Sequence, residues 1–265
     1  MRVRSSDSEI SYQVMGQGPD LVLLHPFPAH HGVWAPAALL LEPRYRLVLP
    51  DLRGHGESGV GEGPATMEKH AADLARLIDG AGIRKAVFAG ESIGGYILFE
   101  FWRRHRERVS ALILCNTKAG ADNEEARANR LRSAEDVEKR GVEPFIESMI
   151  PKLLGQTTRS NRPDLVETAR AMMMKMTPAG VAAGQRGMAA RPDSVATLAT
   201  MDVPTLLITG DEDVLTGAGE AELMQRHIRG SAMTVIPRAG NYAVFEQHEE
   251  AARVMRQFLD SVPGN

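Results

Sequence analysis

The pentapeptide Gly90-Glu91-Ser92-Ile93-Gly94 constrains this chain more than any other feature. It stands between an apolar run, Ala86-Val87-Phe88-Ala89, and a helical pattern over 96–104. A G-x-S-x-G at a strand-to-helix junction marks a nucleophile elbow. The strand must turn sharply into the helix, and a side chain at either glycine collides with the neighbouring elements. The turn lifts the serine hydroxyl above a helix N-terminus, where developing negative charge is stabilised. In a chain with 25 glycines the pentapeptide alone is weak, and its placement gives it force.

The same alternation of strand and helix runs along much of the 265 residues. Residues 10–14 alternate as a half-buried strand does. Leu21-Val22-Leu23-Leu24 is continuously apolar, as expected for a strand covered on both faces. Runs at 47–49, 86–89, 112–115, 206–208 and 233–236 repeat the pattern. Helices are predicted over 67–79, with Thr66 as N-cap, and over 96–104, 219–227 and 249–262. Such alternation argues for a mostly parallel sheet with helices on both faces. Between Lys118 and Thr200 the strands stop, and Pro144, Pro151, Pro163, Pro178 and Pro192 punctuate short helices. This reads as a helical cap, 118–200, inserted into a core formed by 1–117 and 201–265, all one folding unit. Met172-Met173-Met174, with Met176, either lines an apolar acyl pocket or fills the core of that cap.

Composition closes several alternatives. A formal net charge of -3 and a pI of about 6.3 give no basic footprint for nucleic acid. No apolar stretch approaches the roughly 18 residues that a membrane span needs. Residues 1–10 are polar and charged, without the apolar centre of an export signal. The single cysteine, Cys115, excludes an internal disulfide and reads as a buried thiol. No Cys and His cluster has metal-ligand spacing, and no motif asks for a cofactor. The expectation is a cytoplasmic chain with no metal, no membrane and no nucleic-acid partner.

Three further motifs follow strand-like runs. His25-Pro26-Phe27-Pro28 comes directly after 21–24. Acyl transfer needs two backbone N–H groups aimed at the oxyanion. Ile93, after the serine, supplies one, and the loop after this strand supplies the other. Proline has no N–H, so Phe27 is the better donor than Pro26. His25 is either a base or, more simply, a shaper of the turn. The segment from Asp51 to Ser58 suits a tight scaffold loop, with Asp51 and Arg53 as a candidate ion pair. Gly210-Asp211-Glu212-Asp213 follows 206–208, and a carboxylate there can orient an imidazole. Asp213 is favoured on spacing and Asp211 is the alternative.

With Ala239-Gly240-Asn241 and Phe245-Glu246-Gln247 added, these motifs resemble the α/β-hydrolase family, of the esterase, lactonase and enol-lactonase type. The resemblance covers nearly the whole chain. It implies an α/β fold with a mostly parallel eight-stranded sheet, a Ser-acid-His triad, and a small-molecule ester or lactone substrate. Ser92 is then the nucleophile, Asp213 the acid, and Phe27 and Ile93 the oxyanion donors. Two positions depart from the pattern: Gly217, where the family often has proline, and, more seriously, Asn241, where the family has the histidine of Ala-Gly-His. None of its eight histidines stands there, and His248 lies seven residues later. An amide cannot take the serine proton near neutral pH. The catalytic positions are therefore Ser92, Asp213 and Asn241, with the hydrolase expected to be impaired. Two origins fit Asn241: a knock-out of the base in an intact site, or a natural chain that has given up hydrolysis. A non-catalytic ligand-binding protein, or a perhydrolase or cofactor-free oxygenase on the same fold, are the alternative functions.

Overall fold

The computed structural model describes residues 1–262. Its seven apolar runs and one polar segment become eight strands among these residues: β1 (Arg2–Ser5), β2 (Ser8–Met15), β3 (Asp20–Leu24), β4 (Arg46–Pro50), β5 (Ala86–Glu91), β6 (Val109–Cys115), β7 (Thr205–Gly210) and β8 (Ala232–Ile236). They form one sheet in the order β1-β2-β4-β3-β5-β6-β7-β8. The β1–β2 and β2–β4 pairs are antiparallel and the other five pairs are parallel. Alternate residues of the central strands feed two separate cores. Val22, Leu24, Val48, Phe88 and Leu112 pack on one face, and Leu21, Leu23, Leu47, Val87 and Ile113 pack on the other. This is a mostly parallel α/β sheet covered on both faces, as the strand pattern implies.

Among the described residues, twelve α-helices accompany the sheet: α1 (Ala35–Leu41), α2 (Met67–Gly80), α3 (Ile93–His105), α4 (Glu124–Arg140), α5 (Glu143–Leu153), α6 (Gln156–Asn161), α7 (Pro163–Met173), α8 (Pro178–Ala189), α9 (Val195–Leu198), α10 (Ala218–His227), α11 (Ala243–Glu246) and α12 (His248–Leu259). Helices α2, α3 and α10 cover the first face, and α1 and α12 cover the second. Helices α4 to α9 occupy the chain between β6 and β7. Met172, Met173 and Met176 are buried in the core there, while Met174 is exposed. Among the described residues, no helix is long and apolar enough to cross a membrane.

The differences from the sequence reading have physical causes. Strand β1 was not expected, because it is a polar edge strand whose Arg2 pairs with Glu9 across the hairpin at 2.7 Å. Helix α3 starts at Ile93, three residues early, because its first turn is Ile-Gly-Gly and shows no periodicity. Helix α12 ends at Leu259, three residues before the expected end. Arg53 does not pair with Asp51. It forks onto Asp73 of α2 at 2.7 and 2.8 Å and reaches Asp7 at 3.0 Å. Asp51 instead accepts from the backbone and ring of His31, at 3.0 and 2.6 Å, and from the Glu57 N–H at 2.9 Å.

Three histidines, His25, His55 and His70, are buried near this loop. Burial, with the charge of His55 next, pushes His25 down to about 3. Burial holds His55 down at about 4. Burial, then His55, Arg53 and His25, drives His70 well below its ordinary value. Neither ring nitrogen of His70 has a protein partner among the described residues. These bases bind a proton more readily unfolded than folded. Their contribution is complete above an unfolded pKa of about 6.5 and is lost as pH falls toward the folded values. Two buried acids, Glu91 and Glu246, have raised values and work in the opposite sense, favouring unfolding as pH rises past the ordinary carboxylate range. Urea unfolding between pH 7 and 4.5 should therefore show stability falling with acid. His70→Leu should flatten that fall by up to about 1.4 kcal/mol per pH unit, one proton's worth. An unchanged slope in His70→Leu would show that His70 does not titrate in unfolding.

Candidate active site

Ser92 joins the end of β5 to the first turn of α3 with φ of +55° and ψ of −110°. A non-glycine residue in such a conformation costs on the order of 1–3 kcal/mol and persists only where its surroundings fix it. Here they do. The Ser92 N–H donates to the Cys115 carbonyl at 2.9 Å, and the Ser92 carbonyl accepts from Thr117 Oγ1 at 2.8 Å. The glycines on either side have no room for a side chain. A Cβ on Gly90 would lie 2.5 Å from the Gly94 carbonyl carbon, and one on Gly94 would lie 2.7 Å from the Leu24 carbonyl oxygen. The sharp turn therefore needs both.

Asp213 lies on the loop that leaves β7 and is 9% exposed. Its Oδ1 accepts from the N–H groups of Leu215 and Thr216 at 2.8 and 3.1 Å. Its Oδ2 accepts from Thr216 Oγ1 at 2.7 Å, Asn116 Nδ2 at 2.9 Å and Asn241 Nδ2 at 3.0 Å. Asp211 is exposed and, among the described residues, its side chain accepts only from the Ala239 N–H, at 3.4 Å. Asp213 is thus the acid that meets residue 241.

Asn241 lies on the loop after β8 and is fully buried. Its Nδ2 also faces Thr216 Oγ1 at 3.0 Å and the Asn116 carbonyl at 3.3 Å. All three neighbours are acceptors, which fixes the nitrogen of the amide on this side. The other end, Oδ1, has no protein partner among the described residues. Nor does Asn241 hydrogen-bond to Ser92 there. The short amide satisfies the acid side of the site and leaves an acceptor without a partner on its other end.

The loop carrying Asn241 is tied from below. Glu246 accepts from the Gly240 N–H and the Gly155 N–H, both at 2.8 Å. Burial raises its pKa against the hydrogen bonds it accepts. The Tyr242 N–H donates to the Leu153 carbonyl at 3.1 Å. Backbones approach so closely here that a Cβ on Gly240 would lie 2.4 Å from the Gly155 nitrogen. The α5–α6 junction is therefore docked directly on the loop of residue 241. Glu91, beside the serine, is buried and accepts from the Val244 N–H at 3.3 Å, joining the elbow to α11. Neither Glu246, Glu91 nor Asn116 was assigned a role from sequence. Asn116 carries a left-handed φ of +44° just past β6, which no local sequence signal announces.

The Phe27 and Ile93 N–H groups have no backbone acceptor among the described residues. Phe27 and Ser92 border a cleft of about 330 Å³, walled also by Tyr96, Phe145, Leu153 and Met188. His25 is spent on scaffold: Nδ1 donates to the Pro26 carbonyl at 2.9 Å and Nε2 accepts from the Leu52 N–H at 2.9 Å. Donor atoms of His30, His31 and Asp51 lie within 4.8 Å of one another, the spacing of a metal site. Their bonding argues against that use. His30 Nδ1 accepts from the Gly32 N–H at 3.1 Å, so a neutral His30 carries its proton on Nε2 and offers no lone pair there.

Comparison with known proteins agrees with this architecture. A family model described as "alpha/beta hydrolase fold" matches residues 19–247. The chain is 28% identical over 255 residues to 3-oxoadipate enol-lactonase 1 of Acinetobacter baylyi, covering 96% of this chain and 94% of that protein. It is 29% identical to a pimeloyl-[acyl-carrier protein] methyl ester esterase of Xanthomonas campestris, covering 94% and 98%. A thermophilic esterase from Thermogutta terrifontis, solved with malate bound, superposes with a TM-score of 0.96 at 39% identity, covering 99% and 98%. On the sheet, the elbow and these likenesses together, the chain belongs to the α/β-hydrolase fold family.

Proposed function

We infer that this chain is built as a serine hydrolase of carboxylic esters or lactones, disabled at its base. The observation that carries the reading is the Asp213 carboxylate, saturated by five donors, with one of them the Asn241 amide on the loop after β8. An acid held this way orients a hydrogen-bonding partner, and the family places an imidazole there. The esterase and lactonase relatives support the substrate class.

With histidine at 241, the imidazole takes the Ser92 proton as Oγ attacks the ester carbonyl carbon. The carbonyl oxygen becomes an oxyanion facing the N–H groups of Phe27 and Ile93. Collapse breaks the ester C–O bond, and the alcohol leaves with the imidazole's proton. Water, deprotonated by the same base, then attacks the acyl-enzyme and frees the acid. Asn241 blocks both proton transfers, since its amide neither accepts nor returns a proton at neutral pH. The helices between β6 and β7 act as the cap that shapes the acyl pocket.

Asn241→His should raise turnover on short p-nitrophenyl esters or on lactones by about 10⁴ or more, the usual weight of a triad base. Asp213→Asn in the same background should remove most of that gain. No gain from histidine would defeat the disabled-hydrolase reading. It would favour a binding protein that returns ligands unchanged, or oxygen chemistry that oxygen uptake would reveal. A fluorophosphonate should label the histidine form at Ser92. Labelling that persists in Ser92→Ala would point to another nucleophile.

A further inference from the structure

The wall of the cleft beside Ser92 carries an unbalanced charge. Asp122, almost fully buried, accepts from Arg130 Nε at 2.5 Å and pairs with Arg191 at 2.8 Å and with Lys118 at 3.5 Å. Three cations share one carboxylate. Arg191 is buried and committed: it lies 4.3 Å over the Tyr96 ring and donates to the Gly120 carbonyl at 2.7 Å. Lys118 and Arg130 are each 23% exposed and line the cleft. Arg130 Nη1 meets Gln185 Oε1 at 3.1 Å, while Nη2 donates to no protein group among the described residues. A third cation, Lys152, lines the same cleft and is in no ion pair among the described residues. Glu135 and Asp136 share a surface groove with Lys152, but Asp136 is held by Arg140. Asp122 is the only acid on the cleft wall among the described residues, against Lys118, Arg130 and Lys152. Cations in a partly dry wall attract an anion far more strongly than the same charges in open water. The guanidinium and ammonium donors suit a carboxylate.

We propose that Lys118, Arg130 and Lys152 form a carboxylate-binding subsite, so that the substrate is an ester or lactone whose acid portion bears a second, free carboxylate. The proposal rests on the ester-hydrolase reading for the reacting bond and on the cleft's charge for the recognised group. The free carboxylate takes no part in the chemistry. It anchors one end of the acyl chain while the ester carbonyl reaches Ser92.

On the proposed reading the present chain, with Asn241, turns substrate over slowly enough for binding to be measured. Calorimetric titration with the monomethyl and dimethyl esters of succinate, glutarate and adipate compares anionic and neutral ligands of matched length. For at least one length the half-ester should bind about tenfold tighter than the diester, the weight of one charged hydrogen bond. Salt should weaken the half-ester alone. Lys118→Gln combined with Lys152→Gln, at a half-buried and an exposed position, should erase most of the preference, and Arg130→Gln should do the same if it folds. Equal affinity for half-ester and diester at every length, including no binding of either, overturns the proposal. So does a preference that survives the double lysine variant. The two readings fail separately. Charge-selective binding without turnover in the Asn241→His form sinks the hydrolase and leaves the subsite. Turnover blind to charge does the reverse.

Discussion

The carboxylate of Asp213 gathers the loops that leave the carboxyl ends of three adjacent strands. Asn116 follows β6, Asp213 and Thr216 follow β7, and Asn241 follows β8. Each loop contributes a donor or the acceptor itself. A parallel sheet puts all these strand ends at one edge, which is where such folds bind ligands. A charged acceptor taken out of water needs its hydrogen bonds, since each one to a charged group is worth roughly 1.5–3 kcal/mol and a missing one is costly. Asp213 recovers them from groups that are distant in sequence and adjacent in space. The elbow follows from the same convergence, because the Ser92 N–H is fixed by Cys115, the residue before Asn116.

Within this frame residue 241 has two separate tasks. One is structural: it donates to the acid, and the Asn241 amide does this at 3.0 Å. The other, under the proposed function, is chemical: it would exchange a proton with the serine, and an amide has no titratable nitrogen for it. The unpartnered Oδ1 of Asn241 is where the two tasks come apart. The loop itself is rigidly held, by Glu246 on Gly240 and Gly155 and by Tyr242 on Leu153. A substitution at 241 therefore changes the chemistry at a site whose backbone stays in place. The cations of the cleft stand apart from this network and, in the proposed subsite, hold the substrate's far end.

The buried strands were legible in sequence because a strand covered on both faces must be apolar throughout, as Leu21 to Leu24 are. Strand β1 was not, because an edge strand exposed to water keeps its arginines. Ser92, Asp213 and Phe27 were named from motifs, and the structure places Asp213 and Asn241 in contact. Asp211 could be set aside only once its exposure and its bond to Ala239 were seen. What the sequence concealed were the long-range partners. Arg53 stands two residues from Asp51 and bonds to Asp73 and Asp7 instead. Asn116 reaches Asp213 across 97 positions, and Glu246 reaches Gly155 across 91. Local spacing carries no information about contacts of that range.

The pH dependence of kcat/KM in the Asn241→His form, measured beside the present chain, tests most directly whether residue 241 is the base site. A histidine base should give a rise of one log unit per pH unit up to an apparent pKa of about 6.5–7, then a plateau. The Asn241 chain should show only low activity without that step. The same profile in both proteins, or a histidine form whose activity ignores pH between 5 and 8, roughly the window in which histidine titrates, would contradict the account.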